Sequence, residues 1–425
     1  MSATLLNYPA ALTAPALLTT YQQEMQAELT RITDFWLHQA VDESHGGFIG
    51  QMDGAGQIVA GATKGSILNA RILWTFAAAY RHTGRPEHLA AATRAFEYLR
   101  AHFVDEAHGG IYWLVDAEGQ VLSDRKQIYA LAFAIYGLSE YHRATGNAPA
   151  LALSQELFDW IETHSYDAEY GGYLEAVGRA GEPLADLRLS DKDRHAPKTM
   201  NTHLHVLEAY ANLYRSWPDA RLARRLQGLL TDFLKHIIDA RTGHLRLFFA
   251  RDWQPVADLV SYGHDIEAAW LLREAAEILG DDALLTQVAA AAQQLAQATA
   301  TALLPDGSLP HELDRATGHL DQHREWWVSA EAMVGFLDAY AHTQNEALLR
   351  HSYRAWQFAQ RHLLDAQHGE WRWGVEADYQ PMLSQDKIGF WKCPYHNARA
   401  CLEVLHRCQQ LSVAPVATAQ PAAAE

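Results

Sequence analysis

His205, His264 and His396 each fall near the start of an apolar stretch with helical spacing: Asn201-Thr-His-Leu-His-Val-Leu-Glu, Ser261-Tyr-Gly-His-Asp-Ile-Glu-Ala-Ala-Trp and Trp391-Lys-Cys-Pro-Tyr-His-Asn-Ala-Arg. Imidazole is the side chain whose ordinary pKa lies nearest neutrality, and a neighbouring carboxylate can orient it and hold its proton. Glu267 and Trp270 follow His264 at three-residue intervals. Asn201, His205 and Glu208 share a face by the i, i+4, i+7 rule, and Arg399 lies about one turn beyond His396. Two histidines facing one another across a sugar can take a proton from a carbon beside a carbonyl and return it on the opposite face, provided donors meet the enediolate oxygens.

Arg71, Tyr129 and His205 are candidate donors. A guanidinium inside the apolar helix that starts at Lys64-Gly-Ser-Ile-Leu-Asn must meet a carboxylate, water or a ligand oxygen, and bridging to a neighbouring helix would serve equally. Tyr129 fits a cavity or a core. In Glu325-Trp-Trp-Val-Ser-Ala-Glu, Trp327 and Glu331 are one turn apart, which suits a sugar held by its apolar face and its hydroxyls, although Trp326 or Trp327 would look the same in a plain core. His203 and His205 diverge by about 200° on a helix and do not share a metal ion. With no glycine-rich phosphate loop or dinucleotide fingerprint, neither metal nor cofactor is expected.

Internal repetition says what positions these residues. The turn Asp42-Glu-Ser-His-Gly-Gly returns as Asp105-Glu-Ala-His-Gly-Gly, Asp167-Ala-Glu-Tyr-Gly-Gly, Asp239-Ala-Arg-Thr-Gly-His and Asp365-Ala-Gln-His-Gly-Glu, with a degenerate copy at Asp306; the separations are 63, 62, 72, 67 and 59 residues. Each interval holds two amphipathic helical stretches. Six helical hairpins with an irregular period and no capping repeats predict a closed all-α (α/α)6 barrel of twelve helices with short β-hairpins in the loops. The inner helices are expected at 64–80, 127–141, 201–214, 264–279, 325–340 and 395–407, because these carry polar residues among apolar neighbours. The expected organisation is an N-terminal extension over 1–20, the barrel over 21–410 and a disordered Ala/Pro-rich tail over 411–425.

Composition bounds the partners. A net charge of −17 argues against nucleic acid or an anionic membrane surface, and no apolar run approaches the roughly 18 residues of a membrane span. The first twenty residues lack the basic region of a secretory leader, and three cysteines make no disulfide framework, so cytoplasmic residence as a monomer or weak homodimer is expected.

Five motifs, in order, resemble the cellobiose 2-epimerases of the N-acylglucosamine 2-epimerase superfamily over about residues 20–410: Lys64 to Arg71, Asn201-Thr-His-Leu-His-Val-Leu-Glu-Ala-Tyr, Ser261-Tyr-Gly-His-Asp-Ile-Glu, Glu325-Trp-Trp-Val-Ser-Ala-Glu-Ala and Trp391-Lys-Cys-Pro-Tyr-His-Asn. The resemblance implies an (α/α)6 barrel that epimerises the reducing-end glucose of β-1,4-linked disaccharides at C2 without metal or nucleotide. It implies His264 and His396 as the acid/base pair, His205 assisting ring opening, Arg71 stabilising the enediolate and Glu267 supporting His264. Asn201, Trp327 and Glu331 would hold the reacting ring, Trp391 would stack on the second sugar, and Asp193 matches a binding-loop position. Tyr129, Trp270 and Arg399 complete the expected site. Rival readings are a mannose 2-epimerase or mannose isomerase of the same superfamily, or a glycoside hydrolase using Glu267 and Glu331 as its carboxylates.

Overall fold

The structure, a computed structural model, describes residues 12–190 and 194–413. Its twelve α-helices, among the described residues, are α1 (Ala14–Gln39), α2 (Ser66–Thr83), α3 (Pro86–His102), α4 (Ile128–Thr145), α5 (Ala148–His164), α6 (Met200–Tyr214), α7 (Ala220–Asp232), α8 (Tyr262–Leu279), α9 (Asp282–Ala300), α10 (Trp326–Thr343), α11 (Glu346–Phe358) and α12 (Tyr395–Val413). The even-numbered helices form the inner ring: each touches the next, and α12 returns to α2. Helices α3, α5, α7, α9 and α11 each back the inner helix before them, while α1 backs α12. The two ends of the chain therefore make the sixth hairpin.

This moves both expected boundaries. Residues 14–20 are not an extension, since α1 starts at Ala14 and buries Leu17 and Leu18. The barrel continues past 410 to Val413; the expected tail otherwise lies outside the described residues, as do residues 1–11.

Burial separates the two rings as the sequence pattern predicts. Every residue of α4 from Ile128 to Tyr141 is buried, whereas α7 buries only Leu222, Leu226, Leu229 and Leu230 and turns its arginines outward. Side-chain caps start several outer helices, with Asn147, Asp219, Asp281 and Asn345 accepting from backbone N–H groups of the first turn. Inner helices α2, α4 and α8 stop at Gly84, Gly146 and Gly280 in the left-handed conformation.

The repeated aspartate has a definite job. Asp42, Asp105, Asp167 and Asp365 each accept two backbone N–H groups of their own turn through Oδ1. Through Oδ2 they meet a buried lysine from the lead-in to an inner helix: Lys64 at 2.7 Å, Lys126 at 3.0 Å, Lys198 at 3.0 Å and Lys387 at 2.7 Å. Each lead-in is also sewn to the next unit by a short antiparallel pair, as in Lys126–Gln127 with Ala176–Val177 and Lys198–Thr199 with Phe248–Phe249. The starts of the inner helices are thereby fixed at one end of the ring.

Glu370 takes the place that a second glycine holds in three other turns, at φ +53°. That conformation is costly for a residue with a Cβ. Its buried carboxylate accepts from Trp36 Nε1 of α1 at 2.5 Å, Lys392 Nζ at 3.2 Å and Asn397 Nδ2 of α12 at 2.5 Å, tying the ends of the chain together where the ring closes.

Candidate active site

The fixed ends of the inner helices surround a cavity of about 700 Å³, lined by Arg71 of α2, Tyr129 of α4, Asn201 and His205 of α6, His264 and Glu267 of α8, Trp327 of α10, Trp391 in the segment leading into α12 and His396 at the start of α12. That size is ordinary for a small-molecule site. Residues some 330 positions apart meet here because each inner helix delivers its first two turns to the same opening.

Each histidine is held from behind through Nδ1, leaving Nε2 as its other polar atom. His396 Nδ1 lies 2.7 Å from Glu331 Oε1 and His205 Nδ1 2.8 Å from Glu208 Oε2; an ionised carboxylate accepts, so these rings carry their proton on Nδ1 and keep a lone pair on Nε2. His264 Nδ1 is 2.7 Å from Ser261 Oγ, a hydroxyl that can accept or donate. The Trp327 ring is shared: its centroid is 4.7 Å from that of His264 and 5.9 Å from that of His396.

Burial pushes His264 down to about 3, with the neighbouring His205, His311 and His396 adding to the effect. Burial also takes His396 down to about 3 against the opposing pull of Glu331. His205 is lowered by burial too, with Glu208 opposing. All three are neutral near pH 7, the form a general base needs.

Behind them lies one cation. Arg399, with no exposed surface, donates to Glu208 Oε1, to Glu267 Oε1 at 2.8 Å and to Glu331 Oε1 at 2.6 Å. Tyr395 donates to Glu208 Oε1 at 2.6 Å, and Trp270 Nε1 to Glu331 Oε2 at 3.0 Å. Burial alone would raise Glu331, but Arg399 and His396 bring it down to about 2. Burial, and then the charge of Glu331, raise Glu267 well above the carboxylate range. Glu331 is therefore the partner held toward its ionised form, and Glu267, on the cavity wall, is the one pushed toward its protonated form.

Arg71 places a guanidinium on the cavity wall, which Arg188 and Arg194 also line. It donates to the Tyr129 hydroxyl at 2.7 Å and the Trp391 carbonyl at 3.4 Å, with its guanidinium carbon 4.2 Å from the Phe133 ring centroid and 4.8 Å from that of Tyr395. Asn201 Oδ1 is buried with no hydrogen-bond partner among the described residues, which leaves an acceptor on the cavity wall.

Residues 47–400 match the family described as N-acylglucosamine 2-epimerase (GlcNAc 2-epimerase). The chain belongs to that family. A cellobiose 2-epimerase from Bacteroides fragilis is 50% identical over 385 residues, covering 90% of this chain and 98% of that one. The solved cellobiose 2-epimerase of Bacillus thermoamylovorans B4167 superposes with a TM-score of 0.87 at 40% identity, covering 92% of this chain and 100% of that one. By comparison, a D-mannose isomerase of Marinomonas mediterranea is 23% identical over 403 residues, covering 90% of this chain and 96% of that protein.

Within this N-acylglucosamine 2-epimerase family member, the structure brings His205, His264, His396, Arg71, Glu267, Tyr129, Asn201, Trp327 and Trp391 to one cavity. It rearranges four other expectations. Glu267 does not hold His264; it is bonded to Arg399, and Ser261 takes that place. Glu331, Trp270 and Arg399 do not line the cavity but stand behind His396, where Arg399 needs the carboxylates to be buried at all. Asp193 lies outside the described residues.

Ser261 and Glu208 were missed as holders, though each sits three residues from its histidine in the sequence. His311, Glu325 and Trp373 also line the cavity, the first from a β-hairpin without any recognisable motif.

Proposed function

We propose that this protein is a cellobiose 2-epimerase, interconverting glucose and mannose at the reducing end of β-1,4-linked disaccharides. The observation that carries the reading is two neutral imidazoles, His264 and His396, both beside Trp327 in a cavity that also holds a guanidinium. In the proposed sequence the reducing-end ring opens to its aldehyde, with His205 relaying protons between the ring oxygen and O1. One histidine removes the C2 proton; the C–H pair moves into C1–C2 and the carbonyl pair onto O1, giving an enediolate. Arg71 and Tyr129 stabilise the oxygens as charge develops there. Rotation about C2–C3 presents the other face; the second histidine, having taken up a proton from water, donates it to C2, and the first releases the C2 proton it holds to water, which restores both imidazoles. Atoms and charge balance without a redox step, so no cofactor is required.

Cellobiose would give glucosyl-mannose and lactose would give epilactose. We also propose cytoplasmic residence, as a monomer or weak homodimer, consistent with three buried unpaired cysteines and with the lack, among the described residues, of any helix long and apolar enough to cross a membrane. A mannose isomerase would use the same enediolate but return the proton to C1. Trp391 favours the disaccharide, because an indole beside Tyr129 and Trp113 at the cavity wall offers a plate for a second ring. The hydrolase reading loses its carboxylates: Glu267 and Glu331 share one nitrogen of Arg399 instead of flanking a bond.

Chromatography of the products from cellobiose, mannose and fructose tests this. Glucosyl-mannose from cellobiose, with no free glucose, is expected; conversion of mannose to fructose with cellobiose untouched would overturn the reading.

A further inference from the structure

On the cavity wall beside Trp327, and apart from the residues given roles in the proposed proton transfer, His311, His323 and Glu325 each offer a ligand atom within 4.8 Å of the other two. His311 immediately precedes the strand Glu312–Asp314, and its N–H is bonded to the Asp321 carbonyl across the hairpin. Asp321, His323 and Glu325 alternate along the returning chain, and their side chains meet on one side. Glu325 Oε1 is 3.1 Å from His323 Nε2, and Oε2 is 4.0 Å from His311 Nδ1. The two imidazoles overlie one another with centroids 4.3 Å apart and planes 27° from parallel.

We propose that these three side chains form a binding site for a divalent cation of the Zn²⁺ class, beside Trp327 on the cavity wall. Two imidazoles and one carboxylate are a donor set that suits Zn²⁺, with a fourth position left for water. With metal–ligand distances of about 2.0–2.2 Å, tetrahedral donors lie roughly 3.4 Å apart, so the His323–Glu325 spacing already fits and the His311 ring has well under 2 Å to travel.

A second observation points the same way. His323 Nδ1 is 2.6 Å from Asp321 Oδ1, which fixes the ring so that Nε2 points to Glu325. A carboxylate behind a histidine is the usual support of a zinc-binding imidazole. The other cluster of similar composition, Glu267, Glu331 and His396, is different: both of its glutamates already accept from Arg399.

Occupancy has a route to turnover. Glu325 Oε2 accepts from Trp327 Nε1 at 2.5 Å and Oε1 from Trp373 Nε1 at 3.0 Å, so a metal ion drawing on the same oxygens competes with the fastening of two indoles that line the cavity. The effect on turnover rests on the function proposed above; metal binding does not.

The test is titration of the chelator-treated full-length protein with Co²⁺, read by visible absorption, followed by displacement with Zn²⁺. One Co²⁺ per chain with the intense bands of four- or five-coordinate cobalt is expected, with affinity falling at least tenfold in both His323→Gln and His311→Gln, and about 10- to 100-fold in Asp321→Asn. Unchanged thermal unfolding shows that each variant is folded. Undiminished affinity in folded His323→Gln, or only the weak bands of hexaaqua cobalt in the parent, would overturn the proposal. If Zn²⁺ binds as expected yet leaves cellobiose turnover unchanged, the site stands and its coupling to Trp327 fails.

Discussion

Glu331 separates two roles that predict opposite kinetics. Its carboxylate accepts from His396 Nδ1 at 2.7 Å, from Arg399 at 2.6 Å and from Trp270 Nε1 at 3.0 Å, and it does not line the cavity. In Glu331→Gln one acceptor oxygen remains, and the amide NH₂ must face at least one of these donors. The charge that steadies an imidazolium on His396 is also lost. A hydrogen bond to a charged group contributes about 1.5–3 kcal/mol, and placing that loss in the proton-transfer transition state lowers kcat about 10- to 100-fold. KM is expected to move less than about twofold. Arg399 keeps Glu208 and Glu267, and with Glu331 uncharged the main electrostatic cause that raises Glu267 disappears, so the fold tolerates the change. Initial rates on cellobiose with chromatographic product detection, beside a thermal melt, measure all of this. A kcat within about twofold of the parent, or a tenfold rise in KM at unchanged kcat, would refute the positioning role and return Glu331 to the sugar.

Ser261→Ala frees the Nδ1 side of His264, and kcat is expected to fall about 2- to 10-fold, the worth of one neutral hydrogen bond, with unchanged KM. Trp391→Ala is expected to raise KM for cellobiose about 3- to 10-fold while leaving any turnover of mannose alone; equal effects on both sugars would remove the second-ring plate. His203, which bonds the Thr199 carbonyl and accepts from Tyr173 N–H, is lowered by burial to about 4 from 6.5. Because the unfolded chain takes up this proton first, the associated stability is whole above pH 6.5 and is lost as pH falls toward 4, about 3 kcal/mol in total. Urea unfolding of His203→Gln between pH 7 and 4.5 is expected to show a shallower pH slope than the parent, and an equal slope would contradict this. Lys126→Met leaves the buried Asp105 with Arg179 as its cationic partner among the described residues, and a loss of about 1.5–3 kcal/mol, the worth of one hydrogen bond to a charged group, is expected in urea unfolding.

The ring was legible because its period is written in aspartates and glycines, whose backbone demands leave few substitutes. Alternation of inner and outer helices followed from the polar residues of 64–80 or 264–279 set among apolar neighbours. What stayed hidden was pairing between units. Nothing local distinguishes Glu331, which holds His396, from a residue facing the sugar, because the deciding partner, Arg399, comes 68 positions later. The assignment of Glu267 to His264 failed for the same reason: spacing puts residues on a face, while the buried cation decides which carboxylate it takes. The start of α1 was misjudged because its role as the outer helix of α12 is visible only once the ring is closed.

Proton exchange at one carbon by the rings at 264 and 396 is the claim on which the functional account stands. Following cellobiose by ¹H NMR in deuterated buffer tests it most directly. The account predicts glucosyl-mannose carrying deuterium at C2, with both label and product abolished in folded His264→Ala and His396→Ala. Product formed with C2 still fully protonated, or epimerisation persisting after loss of either ring, would contradict it.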